Sequence, residues 1–349
     1  MKNKKFINKK AADKFLSNTK KNLDAKALSK QIKMGNVVAL SQAITLCESQ
    51  KAKDQIIAEE ILGKADAYPS HTIRIGITGS PGVGKSTFIE SLGLHLLNQG
   101  KKVAVLAVDP SSQLTQGSIL GDKTRMTLLS KEKKAYIRPS ASGKQLGGVA
   151  KSTQKSINLC EMAGFDVIIV ETVGVGQSEI LVHDMTDLFL LLIQPGAGDE
   201  LQGIKKGIVE MADVIVVNKA DGEKQMLAKQ ARAAYANAIH LLNKRSDEWV
   251  VKVMTASAIE NKGIEDIWDC IQTFKDHQIQ QDLFLQRRKE QNILHFNRSL
   301  QSAYLEFLNE QAAIQALTEK LKKEILNGEI NPFSASQALI KEIKTLFEL

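Results

Sequence analysis

Apolar positions change their period along the chain. Between residues 24 and 67, Leu28, Ile32, Val37, Val38, Leu40, Ile44 and Leu46 recur at roughly helical spacing, and Ile56, Ile57, Ile61 and Leu62 continue it. Gly35-Asn36 predicts a break between two helices, and Tyr68-Pro69-Ser70 closes the segment with turn residues. From His71 onward, short β-rich runs alternate with longer amphipathic stretches. The runs cover 73–78, 103–108, 167–170, 188–193, 214–217 and 250–254. Several are apolar at consecutive positions, as strands buried on both faces of a mainly parallel sheet must be. The alternation predicts an α/β, doubly wound core flanked by helices. After about Phe274 no strand signal remains. Residues 275–328 read as long helix, Asn327-Gly328 breaks it, and 334–349 return to helix.

Composition leaves this picture intact: 43% of residues are hydrophobic and 25% charged, ordinary values for a globular chain of 349 residues, long enough for about two domains. The net charge of +8 invites a nucleic-acid reading until it is located. Residues 1–33 hold eleven lysines against two acids, Asp13 and Asp24. That surplus of nine leaves the rest of the chain at −1, so no basic groove is expected and no nucleic-acid partner. The tail itself is either a solvated end or a segment that docks on an acidic partner.

Cys47, Cys160 and Cys270 are far apart and form no CxxC pair, which fits small buried hydrophobes in a reducing compartment. No apolar run approaches the ~18 residues of a membrane span. The N-terminus shows no apolar signal core, lacks arginine and carries early acids, so a cytoplasmic location is expected.

The chemistry begins where the first run ends. Ile73-Arg-Ile-Gly-Ile-Thr78 leads into Gly79-Ser-Pro81-Gly82-Val83-Gly84-Lys85-Ser86-Thr87, a GxxxxGKS motif between a strand and a helix. Glycines let the backbone curl so that its N–H groups face phosphates, and the helix N-terminus adds positive potential. Lys85 is suited to the β and γ phosphates, and the Ser86 hydroxyl to Mg2+. The fold class expected is therefore a P-loop NTPase with helical extensions at both ends.

The fifth run ends in Asn218-Lys219-Ala220-Asp221, an NKxD motif. An Asp221 carboxylate can accept from N1–H and the 2-amino group of guanine, donors that adenine does not offer. Asn218 can bond the far edge of the base, and the Lys219 stem can cover its face. Thr255-Ala-Ser257-Ala258 resembles the turn that supports guanine O6 through a backbone N–H. Alone, NKxD is an ordinary strand-end turn; behind a phosphate loop it predicts GTP and GDP as ligands.

Asp109 ends the second run, Asp122 lies in the loop beyond it, and Glu171 ends the third. Carboxylates on the C-terminal edge of a parallel sheet surround the ligand crevice, which makes all three, with Ser86, candidate Mg2+ ligands. Loop capping is the alternative for each taken singly. Gly174 is placed to sense the γ phosphate through its N–H. Val175 follows where Ras-like proteins carry a water-orienting Gln, so slow intrinsic hydrolysis is expected, accelerated by a supplied cation. Lys205, beyond the Gly196-Ala-Gly198 loop, and Arg125 are the candidates; plain exposure to solvent is the alternative for both.

Together these segments resemble the MeaB/ArgK-like family of P-loop GTPases. SPGVGKST, VDPSS, GSILGDKTRM, RPSAS with LGGVA, VETVGVGQSE, PGAGDELQGIKKGI, EMAD with VNKAD, and the terminal GEINPFSASQAL carry the likeness from about residue 30 to the end. It implies a homodimeric GTPase that chaperones a B12-dependent acyl-CoA mutase, methylmalonyl-CoA mutase in the family, gating delivery of adenosylcobalamin and protecting the loaded enzyme. It implies switch loops holding Asp109 and Asp122, then 171–179, then 196–205. The division expected is a basic tail and helical segment over 1–70, a P-loop G domain over 71–275 and a helical dimerisation arm over 276–349. Gln116 stands where the family commonly has Gly, and Ala141 where it has Pro. Two other classes compete. A metal-delivery GTPase needs clustered Cys or His, whereas the six histidines here are scattered. A small-molecule kinase or transport ATPase needs an adenine preference that Asn218-Lys-Ala-Asp221 opposes.

Overall fold

The computed structural model describes residues 24–66, 71–108, 126–139, 146–172, 178–196, 206–240 and 248–347. Two compact units divide the chain, residues 1–288 and 289–349. In the first unit, seven parallel strands form one sheet in the order β3-β2-β4-β1-β5-β6-β7: β1 Ile73–Gly79, β2 Val103–Val108, β3 Ala135–Arg138, β4 Val167–Thr172, β5 Leu188–Ile193, β6 Val214–Val217 and β7 Lys252–Thr255. This is the parallel, helix-flanked fold that the strand-helix alternation predicts.

Consecutive apolar residues are needed because both faces of the sheet are covered. Ile73, Ile75 and Ile77 face Phe88, Leu92 and Leu96 of α4 (Lys85–Asn98), together with Trp268, Ile271 and Phe274 of α9 (Ile264–Gln280). Leu106, Ile168 and Val170 face the opposite layer, where α5 (Leu146–Met162) packs with three N-terminal helices. Those helices, α1 Ala25–Lys33, α2 Val37–Glu48 and α3 Ala52–Leu62, bury Leu28, Leu40, Ile44 and Ile61 in the same cluster. Asn36 caps α2, its Oδ1 accepting from Val38 N and Ala39 N at 2.9 and 3.1 Å. The break at Gly35-Asn36 is present; a second, at residues 49–51, divides what read as one helix. The turn expected at residues 68–70 lies outside the described residues.

Two further elements differ from the sequence reading. Strand β3 was not legible: it is four residues long, sits at the sheet edge and follows a charged run, so it has no period to detect. The long helix expected over 275–328 is interrupted. Gln281 and Asp282 separate α9 from α10 (Leu283–Glu310), with Asp282 at φ 59°, a left-handed conformation that Asp tolerates better than most residues. Gln311 then separates α10 from α11 (Ala312–Leu326).

Opposite the C-terminal strand ends, the first unit buries a charged cluster. Arg74 forms a bidentate pair with Glu161, Nε and Nη2 each at 2.8 Å from a carboxylate oxygen. Arg288 does the same with Asp187, at 2.8 and 2.6 Å, and its Nη2 also donates to the Thr72 carbonyl at 3.0 Å. The Asp187 Oδ2 accepts from Arg74 N at 2.8 Å, so the two pairs are one network. The Arg288 guanidinium packs over the Phe284 ring at 4.7 Å.

In the second unit, Ile314, Leu321 and Ala335 form a small buried set across α11 and α12 (Pro332–Leu346), and the Phe307 and Phe347 rings lie 5.5 Å apart. Phe296, Tyr304, Leu305, Leu326 and Phe333 are exposed.

Candidate functional site

The loop after β1 turns on glycine. At Gly79 a Cβ would lie 2.4 Å from the Leu192 carbonyl oxygen of the neighbouring strand. Gly84, at φ 92°, starts α4 in a left-handed conformation, and a Cβ there would lie 2.8 Å from Asn218 Nδ2. Only glycine lets the chain pass this close to β5 and to the base motif at once. Pro81 and Gly82 are exposed at the apex, Val83 is buried beneath it, and Thr87 is exposed at the helix start. Lys85 is 8% exposed, and its Nζ donates to the Gly79 and Ser80 carbonyls at 2.7 and 3.3 Å.

The Asn-Lys-x-Asp motif is bonded directly to this loop. Asn218 Nδ2 donates to the Val83 carbonyl at 2.9 Å, and Lys219 Nζ to the Gly82 carbonyl at 2.5 Å. Lys219 adopts φ 57°, which turns its stem back over the loop. Asp221 Oδ2 accepts from the Ser257 hydroxyl at 2.7 Å, while Ser257 Oγ itself accepts from Glu260 N at 3.2 Å. The Ala258 N–H points at Asn218 Oδ1, 3.4 Å away. Backbone bonds register the two strand ends: Ala220 N–H to the Ala256 carbonyl and Ala256 N–H to the Val217 carbonyl, each at 2.9 Å. Residues up to 179 positions apart in sequence thus converge on one edge of the sheet.

Sequence reasoning missed three members of this neighbourhood. Asn261, at φ 54°, hydrogen-bonds Ser91 of α4 and so ties the Ser257-Ala258 loop to the phosphate-loop helix. Lys262 pairs with Glu260 at 2.6 Å. Its ammonium is held above the ordinary lysine range first by that hydrogen bond and charge, and then by the charge of Asp221. Glu90, one turn beyond Ser86, accepts from the backbone N–H groups of Leu128 and Leu129. None belongs to a motif; for Asn261 the only signal is a residue type that tolerates positive φ next to Gly263.

Of the candidate metal ligands, Ser86 and Glu171 are brought together, Ser86 Oγ lying 3.4 Å from Glu171 Oε1. That is near the ~3 Å spacing of adjacent ligands around an octahedral magnesium ion, and both donors are hard oxygens, so the pair suits Mg2+. The Thr172 hydroxyl donates to Thr78 Oγ1 at 2.9 Å, fixing the end of β4 against β1 beside them. Asp109, Asp122, Arg125, Gly174 and Lys205 lie outside the described residues. Among the described residues no group of three or more His, Cys, Asp or Glu side chains could hold a metal ion. Burial pushes the Cys47 thiol up to about 11 and Cys160 further, so neither offers a thiolate at neutral pH.

A phosphate loop after the first strand of an all-parallel sheet, bonded through its own carbonyls to an Asn-Lys-x-Asp motif, is the arrangement of a P-loop GTPase. The family model described as "Methylmalonyl Co-A mutase-associated GTPase MeaB" matches residues 40–313. The chain belongs to the MeaB family. It is 41% identical to GTPase ArgK of Escherichia coli over 318 residues, which span 91% of this chain and 96% of that protein. It is also 41% identical to the "Methylmalonic aciduria type A homolog, mitochondrial" of Mus musculus, over 89% of this chain and 77% of the mouse protein. Among solved structures, an LAO/AO transport system kinase superposes with a TM-score of 0.72 at 34% identity, covering 93% of this chain and 99% of that one.

Proposed function

We propose that this GTPase is a chaperone of a B12-dependent acyl-CoA mutase, gating the loading of adenosylcobalamin and protecting the loaded enzyme. The observation that carries the nucleotide half of the reading is the pair of bonds from Asn218 and Lys219 to the Val83 and Gly82 carbonyls. Through them the base motif and the phosphate loop form one preorganised pocket. The mutase half rests on the family's description and on the mouse relative's name.

In this reading the Gly79–Thr87 loop aims its amides at the phosphates, and Lys85 exchanges the Gly79 and Ser80 carbonyls for phosphate oxygens. Asp221, its orientation set by Ser257, selects guanine; Ala258 and Asn218 flank O6. Ser86 and Glu171, with Asp109 and Asp122, would hold Mg2+, which when bound neutralises developing charge on the transferred phosphoryl group. The Gly174 amide marks the γ phosphate. Val175 cannot orient water, so unstimulated turnover is slow, and Lys205 or Arg125 supplies the cation that the stimulated state requires. A reducing, cytoplasmic setting suits three unpaired thiols.

The decisive assay measures GTP hydrolysis with and without candidate acyl-CoA mutases. A mutase is expected to raise the rate, and Lys205→Ala to cut that stimulated rate about a hundredfold or more while sparing nucleotide affinity. No stimulation by any B12-dependent mutase rejects the chaperone reading; full stimulation of Lys205→Ala rejects the supplied cation.

The second unit is proposed to pair two copies of the chain, because Phe296, Tyr304, Leu305, Leu326 and Phe333 expose apolar surface on helices with few buried residues of their own. Light scattering is expected to give twice the 38.4 kDa chain mass. Leu305→Asp should shift it to monomer; a monomeric wild type ends the proposal.

The LAO/AO kinase relative favours a second reading, phosphoryl transfer to a small acceptor. Comparing GTP with ATP affinity and following the released phosphate separates the two. Free phosphate from GTP supports the chaperone; a phosphorylated acceptor supports the kinase.

A further inference from the structure

The turn that carries Ala258 is closed at its root and stands in solvent at its tip. Ser257 N–H donates to the Lys262 carbonyl and Lys262 N–H to the Ser257 carbonyl, each at 3.0 Å. Ser257 is 1% exposed and bonded to Asp221. A Cβ on Gly263 would lie 2.5 Å from the Thr255 carbonyl oxygen, so the chain leaving the turn lies close against the chain entering it. Ile259, Glu260 and Asn261, between these fixed points, are exposed.

Among the described residues, two hydrogen bonds tie residues 258–261 to other elements. One runs from the Ala258 N–H to Asn218 Oδ1 and is long, at 3.4 Å. In the other, Ser91 Oγ of α4 donates to Asn261 Oδ1. Asn261 presents that oxygen from φ 54°, a left-handed conformation that Asn tolerates. Ser91 is 5% exposed, and it lies five residues beyond Ser86, ~8 Å along the helix axis. The tip is therefore held by the helix that begins with Lys85 and Ser86.

We propose that Asn261 and Ser91 are positioning residues for guanine recognition, their hydrogen bond holding the Ala258 N–H where the O6 edge of the base arrives. The inference rests on the assignment of Asp221 and Ala258 to the base. When O6 takes the Ala258 N–H, the long contact to Asn218 gives way, and the bond to Ser91 is the tie that remains. Without that bond the turn hinges about the Ser257–Lys262 closure, and each nucleotide that binds has to order it, at a cost in entropy. The bond also fixes a length, because Ser91 shares a rigid helix with Lys85 and Ser86 and so sets the O6 donor at one distance from the phosphates. Asp221 is held by Ser257 at the closed root. The loss on breaking the clamp should therefore register at O6, and not at the 2-amino group or the phosphates.

The test measures the affinity of the full chain for four ligands, with Tm as a check of folding. GTP and inosine triphosphate both carry O6, 2-aminopurine riboside triphosphate carries hydrogen there, and inorganic tripolyphosphate has no base. Ser91→Ala is expected to weaken GTP and inosine triphosphate together about fivefold, the scale of one neutral hydrogen bond, while the other two ligands stay within about twofold. Alanine favours the helix, so Tm should hold. Asn261→Gly removes the acceptor but keeps the left-handed backbone accessible, and should act alike. The double variant should lose no more than either single one. An equal loss for all four ligands overturns the clamp, since it places the damage in α4; additive losses from the two substitutions overturn it too. Wild type separates the two levels. If it binds GTP and 2-aminopurine riboside triphosphate equally, the base assignment fails and takes the clamp with it. If it discriminates and folded Ser91→Ala discriminates as strongly, the clamp alone fails.

Discussion

Asp221→Asn is expected to abolish the preference for GTP and to confer binding of xanthosine triphosphate. In the wild type, the Ser257 hydroxyl donates to Asp221 Oδ2 at 2.7 Å while its own oxygen receives the Glu260 N–H. In the variant the same Ser257 donation favours the amide oxygen on its own side. The amide –NH2 then turns toward the base, where it meets the 2-amino group of guanine, donor against donor. Xanthine offers a carbonyl at that position and accepts. A charge-assisted hydrogen bond contributes about 1.5–3 kcal/mol, and the variant weakens two of them, so GTP affinity should fall by roughly two to four powers of ten. Competition binding with GTP, ATP and xanthosine triphosphate reads the effect. Guanine selectivity that survives the substitution would displace Asp221 from the base site.

The second large effect is on stability. Asp187→Ala should lower Tm by roughly 10 °C, because it removes the bidentate partner of Arg288 and the acceptor of the Arg74 backbone N–H in a dry environment, a change that typically costs about 3–5 kcal/mol. The Asp187 side chain is 1% exposed and that of Arg288 2%. Burial alone would push the Asp187 carboxyl up. The Arg288 guanidinium outweighs it by charge and hydrogen bonds, with help from Arg74, and holds the acid below its ordinary value. The sign for pH follows. A carboxyl depressed in the folded state contributes fully above its unfolded pKa of about 3.9, and that contribution is lost as pH falls through the lower folded value. Wild type should therefore lose its advantage over Asp187→Ala only in strong acid. Asp187→Ala/Arg288→Met should recover much of the loss, since removing both charges leaves the Arg74–Glu161 pair intact. Thermal melts of the three proteins from neutral pH down to pH 3 decide it; a Tm unchanged in Asp187→Ala at neutral pH would show that the network contributes nothing.

Neither Arg288 nor Asp187 could be picked out from sequence. Each stands in a stretch whose charge pattern reads as an exposed helix or loop, and their pairing spans 101 positions. Glu90 was hidden for a similar reason: it sits in a helix that looks complete without partners. The nucleotide pocket was legible because its chemistry is local. A strand, a glycine loop and a lysine at fixed spacing occupy nine consecutive residues, 79–87, and the base motif occupies four, 218–221. Short elements at the sheet edge were the least legible, as strand β3 shows, because four residues carry no measurable period.

What the sequence determined by itself was therefore the strand-helix alternation, the phosphate loop and the guanine motif, since backbone periodicity and motif spacing are properties of neighbouring residues. Only the tertiary structure decided which strand ends meet: that Asn218 and Lys219 bond the carbonyls of Val83 and Gly82, that Ser257 orients Asp221, and that Glu90 holds Leu128. Those contacts depend on strand order, and strand order is fixed by which apolar faces can be buried together, a condition that involves the whole sheet at once.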